Sequence, residues 1–417
     1  MTLRLMPHCR CRESNKVKRA LVALLVLLAV CLCGCSAEKP PQADHLDDRG
    51  VVLMEKKYYI EEQKLTTDQK IGQLLFIDYR HKSMDDKLDS LLTTIQPGGF
   101  ILFGENFSDY ANTLKLVRDI KSRVSIPMFI GCDEEGGVVQ RIRNLSDSKY
   151  PTYQIPSMLS VGNRGDAEYA RKIGEKIGSM CRVFGINMDF APVADVNIRN
   201  GNTVVSTRSF GADADLVASM ATAVGQGLQS QGVIAVYKHF PGHGSSVEDS
   251  HKALAVNYRK MEEIEKFELV PFARAIGSNC LAIMVGHIAM ADLHDPSDEH
   301  YLLPATLDRE VITGILRQKM GFEGLIITDS LQMNGLTNSI YKTDGDIAQA
   351  ALEAGCDLLL CPRNSLDLFN ELRERVKDGR LDERIVDEAV LRILRHKRLY
   401  ISDNYDEYYD ATNLLAD

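Results

Sequence analysis

Tryptophan is absent from the chain, and aromatic residues make up only 7% of its 417 positions. Proline is scarce, with 13 residues, and the sequence contains no internal repeat and no low-complexity tract. Together with 45% hydrophobic and 26% charged residues, this composition excludes collagen, a coiled coil and a disordered chain. The few aromatic side chains offer little stacking surface for a long polysaccharide cleft. A formal net charge of −9 argues against nucleic acid as the main partner.

Motifs of paired cysteines are also missing. Ten cysteines are present, but no CxxC pair and no zinc-ligand spacing occurs among them. Five lie in the first 35 residues, and the others are scattered singly at Cys132, Cys181, Cys280, Cys356 and Cys361. We interpret these five as small buried apolar side chains, because their spacing is unlike that of a disulfide scaffold.

The first 35 residues have the layout of an export signal. Residues 1–19 hold six Lys or Arg against one Glu, and Ala20–Leu32 is an apolar run of thirteen residues. A run of this length is short for a membrane span, and Leu32-Cys33-Gly34-Cys35 follows it. This ending resembles the bacterial lipobox, which implies a signal peptide over residues 1–34 and a lipid on Cys35. Plain secretion with another cleavage site and a signal anchor are the alternatives.

The remainder of the chain is acidic. Without residues 1–34 it holds 43 basic and 57 acidic residues, a formal charge of −14. We expect an exported protein that is lipid-anchored on the extracytoplasmic face of a membrane in the bacterial cell envelope. Residues 35–62 are polar and include Pro40-Pro41, which indicates a tether to a folded domain over residues 63–401. Residues 402–417 are acidic and are expected to form a tail.

Short apolar runs alternate with amphipathic stretches throughout residues 63–401. Eight runs are candidate strands: Ile71–Ile77, Gly98–Phe103, Pro127–Cys132, Asn187–Ala191, Val233–Lys238, Leu281–Gly286, Gly324–Thr328 and Asp357–Cys361. Helical patterns include Tyr110–Val124, Asp166–Phe184, Asp213–Gln231, Lys260–Ile276, Leu307–Lys319, Ile347–Ala354 and Leu381–Leu399. This alternation predicts an α/β fold, a single (β/α)8 barrel without a second globular domain. A doubly wound open sheet is the alternative, but no G-x-G-x-x-G motif follows an early strand.

Polar residues follow these strands at the ends where a barrel of this type carries its active site. Asp329 directly follows a strand, where it is held rigidly, as a nucleophile requires. Asp249 and His251 form an Asp-x-His pair, and a carboxylate bonded to imidazole suits acid–base work near neutral pH. A carboxylate nucleophile with an acid–base group meets the requirement of a retaining glycosidase. Further polar candidates at strand ends are Asp133, Arg141, Arg208, Lys238, His239, His243 and His287.

Short motifs contain most of these candidates. The most specific is K-H-F-P-G-H-G at Lys238–Gly244, which is followed by D-S-H at Asp249–His251. A third motif, D-E-E-G-G-V-V-Q-R, occupies Asp133–Arg141. The others are G-G-F-I-L-F at Gly98–Phe103, R-S-F-G at Arg208–Gly211 and T-D-S-L-Q-M at Thr328–Met333. In type and order these motifs resemble glycoside hydrolase family 3, in its single-domain bacterial β-N-acetylglucosaminidase branch, over roughly residues 65–399.

The resemblance implies an exo-acting, retaining β-N-acetylglucosaminidase (β-N-acetylhexosaminidase) that needs no metal and no organic cofactor. It implies that Asp329 forms a covalent glycosyl-enzyme and that His251, oriented by Asp249, serves as general acid and then as base. It also implies that a terminal N-acetylglucosamine is bound by Asp133, Arg141, Arg208, Lys238 and His239. The expected substrates are peptidoglycan-derived oligosaccharides or other chains that end in N-acetylglucosamine, such as chitin fragments and glycans. The scarcity of aromatic residues favours a pocket for one terminal sugar.

Several alternatives stay open at the level of the sequence. A β-glucosidase or β-xylosidase of the same family is one, and phosphorolysis is another, because a neutral imidazole acid does not repel an incoming phosphate. A metal-dependent barrel hydrolase with His239, His243, His287 and Asp329 as ligands is a third, although it lacks the usual H-x-H pair after the first strand. A lipid-anchored sugar-binding protein is the fourth, but binding alone needs neither a nucleophile nor an Asp-His pair.

Overall fold

Parallel strands form a barrel that closes almost completely. The computed structural model describes residues 65–145, 153–199, 202–246, 254–336 and 340–400. Ten strands lie in these ranges: β1 (Leu75–Asp78), β2 (Gly99–Leu102), β3 (Phe129–Cys132), β4 (Met188–Asp189), β5 (Ile234–Phe240), β6 (Ala255–Asn257), β7 (Ala282–Val285), β8 (Ile288–Met290), β9 (Leu325–Thr328) and β10 (Leu359–Leu360). Eight of them form one parallel sheet in the order β10-β1-β2-β3-β4-β5-β7-β9. A parallel bridge between Ile327 and Leu358 links β9 to the segment leading into β10, so the sheet curls into a barrel.

Helices follow the strands and cover the barrel. Those in the described ranges are α1 (Thr67–Gln73), α2 (Asp86–Ile95), α3 (Tyr110–Lys121), α4 (Met158–Gly162), α5 (Ala167–Val183), α6 (Ala214–Ser230), α7 (Met261–Lys266), α8 (Val270–Ile276), the π-helix α9 (Glu310–Lys319), α10 (Asp344–Ala354), α11 (Ser365–Lys377) and α12 (Glu383–Tyr400). Short 3-10 turns occupy Gly104–Asn106, Ile142–Asn144, Ser206–Arg208, Ala305–Leu307 and Asn334–Leu336. This architecture confirms the predicted (β/α)8 barrel.

The remaining two strands lie outside the barrel sheet. β6 and β8 form a parallel pair, in which Ala255 is opposite Ile288 and Asn257 is opposite Met290. β6 follows residues 247–253, and β8 follows the end of barrel strand β7. This pair was not among the predicted strands.

Aromatic rings fill the barrel where two neighbouring strands carry glycine. Phe76 of β1 and Phe190, which follows β4, are fully buried and pack edge to face with ring centroids 5.4 Å apart. A Cβ atom at Gly99 would lie 2.4 Å from the Phe76 ring, and one at Gly131 would lie 2.9 Å from both rings. The two glycines therefore provide the space that the rings occupy.

Most predicted elements are offset by one to three residues in the structure, and three of them differ for an identifiable reason. Residues 71–73 of the predicted strand Ile71–Ile77 end helix α1, whose start is marked by a capping box between Thr66 and Gln69. A short apolar run does not distinguish helix from strand, so this part of the prediction was wrong. The predicted helix Lys260–Ile276 is split into α7 and α8, with Pro271 in the first turn of α8. The predicted helix Leu307–Lys319 begins at Glu310, after a 3-10 turn.

Other predictions concern cysteines and the chain ends. The five cysteines beyond residue 35 are buried with free thiols, which confirms their interpretation as small buried side chains. In the part of the chain that the structure describes, no helix has both the length and the apolar character needed to cross a membrane. The predicted signal peptide (1–34), Cys35, the tether (35–62) and the tail (402–417) lie outside the described residues.

The packing at Gly99 gives a test of the barrel interior. Gly99→Ala is expected to destabilise the full chain by about 1–3 kcal/mol, because the new methyl group overlaps the Phe76 ring. Gly277→Ala is the matched control, since its Cβ would meet no atom closer than 3.5 Å. Urea unfolding monitored by circular dichroism measures both. An equal midpoint for the two variants would contradict this account of the core.

Candidate active site

Charged side chains converge at the carboxyl ends of the barrel strands. Asp133 follows β3, Lys238 and His239 lie near the end of β5, and Asp329 follows β9. The backbone N–H of Asp329 donates to the carbonyl oxygen of Val285, 2.9 Å away, which ties the start of this segment to β7. Parallel strands place these side chains at one end of the barrel, as the sequence predicts.

Five charged side chains at this end of the barrel form a network that we call the charge cluster: Asp133, Glu135, Arg141, Arg208 and Lys238. Arg208 donates to both carboxylate oxygens of Glu135 at 2.7 Å, from Nε and Nη2. Lys238 Nζ lies 2.8 Å from Asp133 Oδ1 and 2.6 Å from Glu135 Oε1. Arg141 Nη2 donates to the second Asp133 oxygen at 3.3 Å. Each carboxylate is therefore held by two cations, and Glu135 and Lys238 are almost fully buried.

The electrostatics of the charge cluster keep its carboxylates ionised. Burial acts to raise the pKa of Glu135, but the positive charges of Arg208 and Lys238 outweigh it and hold that pKa well below its ordinary value. The pKa of Asp133 is also lowered, since Lys238 and Arg141 outweigh the effect of its burial. The buried Nε of Arg141 has no hydrogen-bond partner in the described structure.

Another carboxyl, Glu134, fixes the turn that carries Asp133, Glu135 and Arg141 of the charge cluster. Its Oε2 accepts hydrogen bonds from the backbone N–H groups of Arg141 (2.7 Å) and Ile142 (3.0 Å). Its own backbone N–H donates to Asp189 Oδ1 at 2.9 Å. Burial raises the pKa of Glu134 to about 7, although the two backbone bonds oppose this shift. Glu134 therefore connects both ends of the turn between Asp133 and Arg141.

His239 is oriented by a fully buried aspartate. Asp195 Oδ2 lies 2.7 Å from His239 Nδ1, and Asp195 Oδ1 accepts the backbone N–H groups of His239 (3.2 Å) and His243 (2.7 Å). Burial acts to raise the pKa of Asp195, but the charge of His239 and these bonds lower it. An ionised Asp195 fixes a proton on Nδ1, so Nε2 of a neutral ring is the nitrogen that accepts.

The peptide bonds Ala191-Pro192, Lys238-His239 and Phe240-Pro241 are cis.

Asp329 lies among positively charged and hydrogen-bonding groups. Burial acts to raise the pKa of its carboxyl, but His239, His287, the Ser330 N–H and Lys238 outweigh burial and lower it. The Ser330 backbone N–H donates to Asp329 Oδ1 at 2.7 Å. An ionised, rigidly held carboxylate at this place has the properties of a nucleophile.

His287 supports the segment after Asp329. It is fully buried, its Nε2 lies 3.0 Å from the Ser330 carbonyl oxygen, and its Nδ1 lies 2.8 Å from Thr306 Oγ1. Because a carbonyl only accepts, Nε2 carries a proton and donates to it. Both ring nitrogens are engaged, which does not favour the metal-ligand role considered for His287. No group of three or more metal-binding side chains occurs within the described ranges.

The predicted site residues fall into two groups. The structure brings together Asp133, Arg141, Arg208, Lys238, His239 and Asp329. Asp249 and His251 lie outside the described residues, which end at Ser246 and resume at Leu254. No role was predicted for Glu134, Glu135 or Asp195. The signal that points to the two glutamates is their position between a strand and the pair Gly136-Gly137.

The raised pKa of Glu134 gives a prediction for stability. A carboxyl whose pKa is higher in the folded state than in the unfolded state stabilises the fold at low pH, and this contribution is lost as pH rises from about 4.5 to about 7. Glu134→Gln keeps an oxygen for both backbone bonds and carries no charge. Relative to this variant, the wild type is expected to lose up to about 3 kcal/mol of unfolding free energy between pH 5 and pH 8.

Denaturant unfolding of the full chain at the two pH values measures this difference. Glu323→Gln is the control, because Glu323 is exposed. If the difference between wild type and Glu134→Gln is the same at pH 5 and pH 8, the carboxyl does not titrate as described.

Known proteins resemble this chain in sequence and in fold. A β-hexosaminidase from Tolumonas auensis is 36% identical over 291 residues, which are 70% of this chain and 83% of that protein. A β-N-acetylglucosaminidase/β-glucosidase from Cellulomonas fimi is 30% identical over 361 residues, 84% of this chain, and the match spans 60% of the length of that relative. The solved structure of a glycoside hydrolase family 3 β-N-acetylglucosaminidase from Paenibacillus sp. superimposes with a TM-score of 0.75 at 34% identity, covering 84% of this chain and 67% of that one. Residues 66–396 match the N-terminal domain of glycosyl hydrolase family 3. The chain therefore belongs to glycosyl hydrolase family 3, a family of glycosidases.

Proposed function

We propose that this protein is an exo-acting, retaining β-N-acetylglucosaminidase (β-N-acetylhexosaminidase) that removes terminal N-acetylglucosamine from oligosaccharides. The observation that carries the proposal is the position of Asp329, which directly follows β9 at the barrel end that holds the charge cluster and whose Oδ1 accepts the Ser330 N–H at 2.7 Å. The pKa of its carboxyl is lowered, chiefly by His239 and His287, against the effect of burial. The relatives from Tolumonas auensis and Paenibacillus sp. that bear related names support the choice of sugar. Fragments of peptidoglycan are the proposed source of that sugar.

Sugar binding is assigned to the charge cluster and His239. Hydroxyl groups donate and accept hydrogen bonds at once, so they suit paired carboxylates and cations. Asp133 already accepts from Lys238 and Arg141, and the unpartnered Arg141 Nε beside it supplies a donor. Arg208 and Glu135 stabilise this arrangement through their bidentate ion pair. The ion pairs within the cluster hold these side chains in place, which lowers the entropy that binding must overcome.

The proposed reaction has two steps. In the first, the Asp329 carboxylate attacks the anomeric carbon, the bond to the aglycone oxygen breaks, and His251 gives that oxygen a proton. In the second, water attacks the same carbon, loses a proton to His251, and releases the Asp329 carboxylate. Two inversions give net retention. Asp249 is proposed to orient His251 and to stabilise its positive charge after it accepts a proton.

The protein is also proposed to act outside the cytoplasm, bound to a membrane through a lipid on Cys35. The basic, apolar and cysteine-containing segments of residues 1–35 support this proposal. An enzyme at that place meets oligosaccharides of the cell wall or its surroundings before they are taken up.

Turnover of 4-nitrophenyl N-acetyl-β-glucosaminide by the full chain tests the proposed function. Asp329→Ala is expected to lower kcat/KM by at least about 1,000-fold, since the glycosyl-enzyme cannot form. His251→Ala is expected to lose less, because 4-nitrophenolate leaves with little help from an acid. Asp378→Ala is a control at a distant carboxylate.

Substrate choice separates the alternatives in the same assay. Wild type that does not cleave the N-acetyl-β-glucosaminide but cleaves the corresponding β-glucoside or β-xyloside would contradict the sugar assignment. Wild type that binds N-acetylglucosamine and cleaves none of the three substrates would contradict the glycosidase proposal. In phosphate buffer, N-acetylglucosamine is the expected product, and its 1-phosphate would indicate phosphorolysis.

A further inference from the structure

Glu268 is a buried carboxylate in the break between α7 and α8. It is 0% exposed, and it lies between Lys266, which ends α7, and Val270, which begins α8. Pro271 in the first turn of α8 prevents the two helices from joining, so the chain turns at Glu268. A buried carboxylate is costly unless it is well paired, so its partners indicate what it does.

The partners of Glu268 come from two separate segments of the chain. Ser245 Oγ donates to Glu268 Oε1 at 2.6 Å. Asn257 Nδ2 lies 3.4 Å from the same oxygen, and Arg259 Nη1 lies 3.3 Å and 3.5 Å from the two oxygens. Ser245 precedes residues 247–253, whereas Asn257 and Arg259 follow them. One carboxylate thus joins the chain on both sides of the segment that contains Asp249 and His251.

The backbone near Ser245 is shaped to approach Glu268. A Cβ atom at Gly242 would lie 2.7 Å from Glu268 Cβ, and Gly242 has φ 130°, which favours glycine. Gly242 belongs to the K-H-F-P-G-H-G motif that begins with Lys238 of the charge cluster. The close contact between this turn and Glu268 therefore depends on a residue within the motif itself.

Each joined segment is also tied to the barrel. Before residues 247–253, the His243 N–H donates to Asp195, and Asn202 Nδ2 donates to the His243 carbonyl oxygen at 2.9 Å. After them, β6 pairs with β8, which continues from the strand that precedes His287. Glu268 connects these two anchored parts to each other.

We infer that Glu268 is a positioning residue for the Asp249-His251 pair, because it sets the distance between the two segments that flank residues 247–253. The inference rests on the proposed function, in which that pair delivers a proton to the leaving group. Glu268 itself touches no reacting atom in this account. Its loss should therefore weaken proton transfer more than it weakens attack by Asp329.

Glu268→Gln tests the inference with little change in size. The Gln side chain keeps one oxygen for Ser245, but its NH2 group then faces the donor groups of Asn257 and Arg259. Glu263→Gln is the matched control, since Glu263 also contacts Arg259, at 3.8 Å, and is half exposed. Both variants and the wild type are compared on two aryl N-acetyl-β-glucosaminides. The phenyl glycoside needs protonation of its leaving group, and the 2,4-dinitrophenyl glycoside does not.

The ratio of kcat/KM for the phenyl and 2,4-dinitrophenyl substrates is the measured quantity. Glu268→Gln is expected to lower this ratio by about tenfold or more relative to wild type, while Glu263→Gln leaves it unchanged. An unchanged ratio in Glu268→Gln, whether the two rates fall together or stay constant, overturns the inference. Wild type that cleaves neither substrate contradicts the proposed function and, with it, the catalytic role of Glu268.

Hydrogen exchange tests the connection between the segments without relying on activity. Glu268→Gln is expected to speed exchange of the backbone amides of residues 243–246 and 255–257 relative to wild type and Glu263→Gln. Equal exchange in all three proteins overturns the inference even if the enzyme is active.

Discussion

The ion pairs of Glu135 are the interaction on which the rest of the site depends. Its two carboxylate oxygens accept hydrogen bonds from Arg208, which lies in the turn after β4. One of these oxygens also lies 2.6 Å from Lys238 Nζ of β5. Removing such charges from water costs several kcal/mol for each ion, and only complete pairing offsets that cost. These ion pairs therefore bring the ends of β3, β4 and β5 together, and loss of any one partner would leave a buried charge unpaired. Asp133 is then oriented by Lys238, which is already fixed, and Arg141 is oriented by its ion pair with Asp133.

The end of β5 connects the charge cluster to Asp329, the proposed nucleophile. Lys238 contacts the charge cluster, whereas the next residue, His239, contacts Asp195. The charge of Lys238, and that of His239 when its ring is protonated, lowers the pKa of Asp329. Dipoles and charges fixed before the ligand arrives need no reorganisation during the reaction, which is the main source of electrostatic catalysis. One stretch of chain thus links the proposed sugar-binding cluster, the orientation of His239 and the lowered pKa of Asp329, the proposed nucleophile.

Local patterns in the sequence were sufficient to predict the barrel and most of the charged site. The apolar runs mark strands, and residues directly after a strand must lie at its carboxyl end, so Asp329 and Asp133 could be placed without coordinates. The partner of each charge could not be placed in this way. Glu135 is visible beside Asp133, but its pairing with Arg208, 73 positions away, depends on how distant segments pack.

The burial and the partners of Glu268 could not be predicted from local sequence patterns either. In the sequence it lies inside the predicted helix Lys260–Ile276, where an acidic residue is ordinarily interpreted as part of a solvated face. The break before Pro271 buries it instead, and its partner Ser245 is 23 positions away. His287 was predicted among the polar residues of the site, yet its two ring nitrogens bond Thr306 and the Ser330 carbonyl. Helix breaks and long-range hydrogen bonds are decided by tertiary packing, which local periodicity does not contain.

The central claim is that Asp329 forms a covalent bond with the sugar. The most direct measurement is mass spectrometry of the full chain after incubation with a 5-fluoro N-acetylglucosaminyl fluoride, which slows release of the glycosyl-enzyme. The account predicts one added sugar, located by peptide sequencing on Asp329. A sugar attached to another residue, or turnover of the substrate with no adduct under any trapping condition, would contradict it.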